Sequence, residues 1–146
     1  NVPGIVGLAQ ALQLCTAEMP TETERLQSLR DHLLTGLCRE LTGVTLNGPA
    51  LDDVSLRLTG NLNCLFEFVD GVGLMMYLRD VAVSSGGACT STNPEPSHVL
   101  RALGLATYDA LSSLRFGLGR FNTLEEIEFA AAKVIEAVKR LREMMS

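Results

Sequence analysis

At 146 residues, 47% hydrophobic and 20% charged, the chain suits one domain burying roughly 70% of the surface its unfolded form would expose. No apolar run approaches the ~18 residues that span a bilayer, so the sequence reads as soluble with no membrane partner. A net charge of -5 weighs against direct nucleic-acid binding, which rests on basic residues displacing counterions from phosphates.

The opening "NVPGIVGLAQAL" lacks the positive start and cleavage site of a secretory signal, and the absence of an initiator Met suggests a fragment or a processed chain. Ile5, Leu8, Leu12, Cys15 and Met19 recur at helical spacing, a helix that continues through a kink at Pro20 or stops there. Thr21 followed by Glu24 reads as a capping box, each side chain satisfying a free N–H at a helix start. It opens a second apolar stripe of Leu26, Leu29, Leu33, Leu37 and Leu41.

"GVTLNG" predicts a short strand, and "NLNCLFEF" a longer one with Leu62, Cys64, Phe66 and Phe68 on its buried face. A helix is expected from about Val72 to Asp80, then a strand at Val81 to Val83. Ser97 is placed to cap a short helix holding Val99, Leu100 and Leu103 and ending at Gly104. In "LRFGLG", Leu114, Phe116 and Leu118 point one way, which turns Arg115 off the core face. Thr123 with Glu126 is another capping box, leading into Ile127, Val134, Ile135, Val138 and Leu141. Strands and helices mix without regular alternation, so the expected fold class is α+β: a short mixed or antiparallel sheet covered by helices.

The four cysteines are far apart and form no cluster at metal-ligand spacing, so no metal is expected, and this usage fits a reducing compartment such as the cytoplasm. Cys15, Cys38 and Cys64 sit on apolar stripes and read as small buried hydrophobes. Cys89 stands in "SSGGACTST", with flexible backbone and nothing to pack against. It is either an inconsequential loop thiol or a nucleophile, which needs access and mobility. His98 reads as a bland residue at a helix start and His32 as a surface residue. Lys133 and Lys139 lie off the apolar stripe of the last helix, on a solvated face.

"SSGGACTSTNPEPSHVLRALGL" followed by "SSLRFGLGRFNTLEEI" resembles the C-terminal part of a cysteine desulfurase, in the NifS/IscS-like branch of the class V aminotransferase superfamily. "NVPGIVGLAQAL", "TETERLQSLRDHL" and "RLTGNLNCLFEFVDG" extend the likeness over nearly the whole chain. The resemblance implies the small C-terminal domain of a fold-type I pyridoxal phosphate (PLP)-dependent transferase, spanning residues 1–146, with an active-site loop at about 84–97. Cys89 matches the sulfur-accepting cysteine of the family's S-G-x-A-C-T-S loop. Arg115 matches the first arginine of its S-x-R-F-x-x-G-R motif, which binds the substrate carboxylate through a planar bidentate cation. Arg120, the second arginine of that motif, reads as structural.

The implied reaction takes sulfur from L-cysteine as a persulfide on Cys89, releases alanine and passes the sulfur to an acceptor such as an iron-sulfur scaffold protein. The implied cofactor is pyridoxal phosphate and the complete enzyme is expected to be a homodimer. The family's cofactor-binding large domain, its cofactor-binding lysine and its phosphate-binding R-x-G-T segment have no counterpart here. The isolated chain is therefore expected to be inactive and free of cofactor, working with that domain as its partner. Gly87 stands where a serine is common in the family loop, and with the chain ending at "REMMS" the family's tail is expected to be shortened. The alternative reading is a non-enzymatic persulfide carrier or partner-binding module.

Overall fold

The computed structural model describes residues 1–53, 55–85, 87–88 and 95–145. Cys89, the residue on which the predicted chemistry centres, lies outside the described residues. Helix α1 (Val2–Glu40) leads into β1 (Val44–Leu46), β2 (Asn61–Phe66) and α2 (Gly71–Tyr77). Next come β3 (Ser84–Ser85), β4 (Gly87–Ala88) and β5 (Glu95–Pro96), then α3 (His98–Ala102), α4 (Thr107–Leu111), β6 (Ser113–Gly117) and α5 (Leu124–Met145). The main sheet has the order β1-β2-β6-β3 with every neighbouring pair antiparallel, while β4 and β5 pair separately. The α+β class and the antiparallel sheet are as the sequence led us to expect. Among the described residues no helix is long and apolar enough to cross a membrane.

Alternation along β2 and β6 builds the core. Leu62, Cys64 and Phe66 face inward from β2, Leu114 and Phe116 from β6, all at most 4% exposed. Against them lie Leu29, Leu33 and Leu37 of α1 and Ile127, Val134, Val138 and Leu141 of α5, so the leucine stripe covers this domain's own sheet. The Thr123 capping box forms as expected: Glu126 N donates to Thr123 Oγ1 at 3.3 Å, and Thr123 N donates to Glu126 Oε2 at 3.2 Å.

The first capping box does not form, because α1 runs unbroken through Pro20 and leaves Thr21 and Glu24 inside it. A proline removes one N–H from the helix ladder, but here one loop braces both sides of the defect. Arg120 Nη2 pairs with Glu18 Oε2 at 2.8 Å on the N-terminal side. On the other side Arg25 donates to the carbonyls of Gly119, Arg120 and Asn122 at 3.1, 2.8 and 2.7 Å. Arg120, which read as structural in the sequence, is engaged in this ion pair.

Other expectations need correction. Strand β2 ends at Phe66, and Phe68 is 72% exposed with φ 58, a turn that hands the core position to the fully buried Val69. Helix α2 stops at Tyr77, and the strand expected at Val81 to Val83 forms at Ser84–Ser85, where it pairs with Arg115 and Leu114 of β6. Ser97 occupies the N-cap position of α3 but makes no capping hydrogen bond through its side chain. Helix α4, five residues long and without a side-chain cap, carries no pattern by which the sequence could announce it.

The cysteines also divide differently. Cys15 lies in the exposed first half of α1, and Cys38 stands one residue past Leu37, a 100° rotation that takes it off the buried stripe. Only Cys64 behaves as the sequence implied. Burial pushes its thiol up from 9.0 to about 12, with the nearby Cys38 adding to the effect.

A Cβ on Gly71 would collide with the carbonyl oxygen of Leu111, whereas one on Gly36, inside α1, meets only Ala131 Cβ at an ordinary 3.9 Å. Urea denaturation should show Gly71→Ala losing about 1–3 kcal/mol from overpacking, and Gly36→Ala gaining about 0.5–1 kcal/mol from improved helix propensity. For the thiols, an aromatic disulfide reagent applied to the Cys89→Ser protein should modify Cys15 and Cys38 at once and Cys64 only after denaturation. Between about pH 9 and 12 folded Cys64 keeps a proton that the unfolded chain has lost, so its contribution to stability falls as pH rises through that window. In Cys64→Val that component of the alkaline loss should vanish from denaturation curves.

Candidate active site

Because β2 and β6 bury one face, their alternate residues are directed to the other. Asn63 and Arg115 are register partners, and Arg115 is in turn paired with Ser84 of β3. Arg115 is exposed, and its Nη2 donates to Ser84 Oγ at 3.3 Å. Among the described residues, most of its guanidinium donors therefore remain available, as a carboxylate clamp requires.

Arg115 borders an open cleft of about 900 Å³. Asn47, Asn63 and Ser84 line it from the sheet side, and His98 and Val99 from α3. Its near wall is held by Arg57, only 8% exposed, which donates to the carbonyls of Asn47 at 2.8 Å, Asn61 at 3.4 Å and Pro49 at 3.0 Å through Nε. Burial, with the positive charge of Arg30 nearby, draws the Arg57 guanidinium down from its ordinary value. Three carbonyl dipoles compensate that burial, which identifies Arg57 as a strut of the cleft wall rather than a free cation. Arg30, 2% exposed on α1, secures the same segment by donating to Leu51 O at 3.1 Å while pairing with Asp31.

The segment carrying Cys89 is approached from both ends by described residues. Gly87 and Ala88 pair with Pro96 and Glu95, and Ser84, Ser85, Glu95, Pro96 and Ser97 all border the cleft that holds Arg115. His98 is exposed at the cleft edge. His32 lies on the surface beside Glu128 at 3.4 Å. The polar residues Asn47 and Asn63 are the part of this site that sequence reasoning missed. For Asn63 the signal was present as asparagine, a poor strand former, alternating with core residues in "NLNCLF"; Asn47, just after β1, carried none.

No lysine borders the cleft among its described lining. Lys133 lies beside Glu136 at 3.7 Å with its ammonium 5.7 Å from the Phe129 ring centroid, and Lys139 pairs with Glu40 at 3.5 Å. Both are on the outer face of α5, as expected from their place off its apolar stripe, and neither can reach a group bound beside Arg115. The cleft therefore lacks the amine on which pyridoxal phosphate would be held, and its described residues do not by themselves fit that cofactor.

The chain is 50% identical over 144 residues to a protein named cysteine desulfurase IscS from Anaeromyxobacter sp. (strain Fw109-5), covering 99% of this chain and 35% of that protein. It is 49% identical over 140 residues to one of the same name from Actinobacillus succinogenes, covering 96% of this chain and 33% of the relative. Among solved structures, a NifS-like protein matches with a TM-score of 0.76 at 27% identity, over 97% of this chain and 34% of that one. The NifS-like protein from Rickettsia africae matches with a TM-score of 0.73 at 25% identity, over 98% and 35%. The chain thus spans about a third of the length of the relatives it matches. The sequence profile described as aminotransferase class-V matches residues 1–129. With that match over most of its length, the chain belongs to the aminotransferase class-V family, in its NifS/IscS-like branch.

Proposed function

We propose that this chain is the C-terminal domain of a pyridoxal phosphate-dependent cysteine desulfurase. The observation that carries the reading is the shared cleft: Arg115 stands in it with guanidinium donors unspent among the described residues, and both described flanks of the Cys89 segment border it. Arg115 holds the carboxylate of L-cysteine. Cys89, as thiolate, accepts the substrate's sulfur and becomes a persulfide, and the carbon skeleton leaves as alanine. Pyridoxal phosphate supplies the electron sink that makes the sulfur displaceable, from a domain other than this one.

The division of labour follows from the residues present. A chain that contributes a carboxylate clamp and a thiol, but no lysine to the cleft, is inactive and free of cofactor alone. Its partner is the cofactor-binding domain of the same enzyme, and Ile5, Leu8, Leu12 and Met19, all exposed on the first half of α1, offer that domain an apolar surface. The complete enzyme is a homodimer. It passes the persulfide sulfur to an acceptor protein such as an iron-sulfur scaffold, for which a thiol on a Gly/Ser-rich segment is suited because it must visit two sites.

The test is alanine and persulfide formation from L-cysteine, measured for this chain alone and for the full-length protein. Activity should appear only in the full-length protein. It should vanish in Cys89→Ser, and kcat/KM should drop by about a hundredfold in Arg115→Ala, as loss of a charge-assisted bidentate contact implies. Persulfide loading of Cys89 from a separate donor, with no alanine from any form of the protein, would instead make it a carrier.

A further inference from the structure

Beyond Arg115, the row of residues across the cleft face of the sheet contains a hydrogen-bond relay with one open end. Ser113 Oγ donates its single proton to the carbonyl of Asp109 at 2.7 Å. It can therefore only accept from Asn47, whose Nδ2 lies 3.0 Å away. The same Nδ2 directs its other proton to Asn63 Oδ1 at 2.7 Å. Each step fixes the next, so the Asn63 amide has one orientation: its oxygen is turned to Asn47 and its two Nδ2 protons away from it. Asn47 is itself immobilised, 6% exposed, with its N–H on Asn63 O at 2.9 Å and its carbonyl receiving Arg57.

The strand geometry places this oriented amide beside the clamp. Asn63 turns its main-chain carbonyl toward Asn47, so it meets Arg115 as a non-hydrogen-bonded antiparallel pair, the type with the closer Cα separation of about 4.5 Å. Both side chains border the cleft. Among the described residues, Asn63 Nδ2 donates to no protein group. A half-buried amide with its acceptor occupied and both donors unspent, next to an arginine with donors to spare, is a site for an anion with two oxygens.

We propose that Asn63 is a second carboxylate-binding residue for the amino-acid substrate, with its amide nitrogen donating to the carboxylate that Arg115 holds, and with Ser113 and Asn47 as positioning residues. The proposal rests on the reading of Arg115 as the substrate clamp. Asn63 gives the cleft directional preference: Arg115 attracts any anion, whereas the pair favours a planar carboxylate over the neutral carboxamide of the same amino acid.

The experiment uses the full-length protein carrying Cys89→Ser, which prevents sulfur transfer to this thiol, and measures Kd for L-cysteine and for L-cysteinamide by calorimetry. The readout is the ratio of the two constants, which a merely structural role would not move. In Asn63→Ala, preference for the acid over the amide should fall about tenfold, the effect of one charge-assisted hydrogen bond. In Asn63→Asp, which keeps the acceptor for Asn47 while removing the donors and adding a negative charge, it should fall further. If Asn63→Ala keeps the parental ratio, the proposal is overturned, even if Asn63→Asp lowers it by neutralising Arg115. Arg115→Ala separates the two levels: a ratio that collapses there but holds in Asn63→Ala removes the role of Asn63 alone, and a ratio unmoved in both removes the clamp as well. Should Asn63→Asp fail to fold, Asn63→Ala decides the matter by itself.

Discussion

The antiparallel pairing of β2 with β6 is the constraint from which the rest of the molecule follows. Side chains alternate along a strand, so one register decides two things together. It sends Leu62, Cys64, Phe66, Leu114 and Phe116 against α1 and α5, and it sends Asn63 and Arg115 to the opposite face. A slip of one residue would expose the core and bury the guanidinium in one stroke. The apolar packing, worth roughly 1.5–3 kcal/mol for each large side chain fully buried, therefore also holds Arg115 in the cleft. Stability and the candidate site share one determinant.

Around that sheet, three arginines do for the loops what the ladder does for the strands. Arg25 gathers the carbonyls between Gly119 and Asn122, Arg57 those of Asn47, Pro49 and Asn61, and Arg30 that of Leu51. A guanidinium suits this task because its donors diverge in a fixed plane and it keeps its charge when partly buried. The outcome differs by location. Arg25 joins α1 to the β6–α5 turn across the defect at Pro20, whereas Arg57 gives the cleft a fixed wall. Arg115 differs from all three in leaving most of its donors unspent among the described residues.

The chain is similar to IscS and NifS-like proteins over about a third of their length. Arg115, the oriented Asn63 amide and the described residues flanking the Cys89 segment border one open cleft, while both lysines are occupied on the outer face of α5.

Much of this was legible in the residues themselves. Period-two alternation in "NLNCLF" and "SLRFG" defined both central strands and the outward face of Arg115. The leucine stripe defined the packed half of α1, and Thr123 with Glu126 the start of α5. These are local patterns, and local physics enforces them. What the sequence could not decide depended on groups distant along the chain. Pro20 and the Thr21 capping box pointed to a helix start, but the brace from residues 119–122 carries α1 through. Cys38 carried a helical spacing that suits burial, yet the direction in which the stripe met the sheet left it outside. Asn47, Asn63 and Ser113 are separated by 16 and 50 residues, so no window of sequence could show that they form one relay; only strand register brings them into a row and orients the last amide toward the cleft.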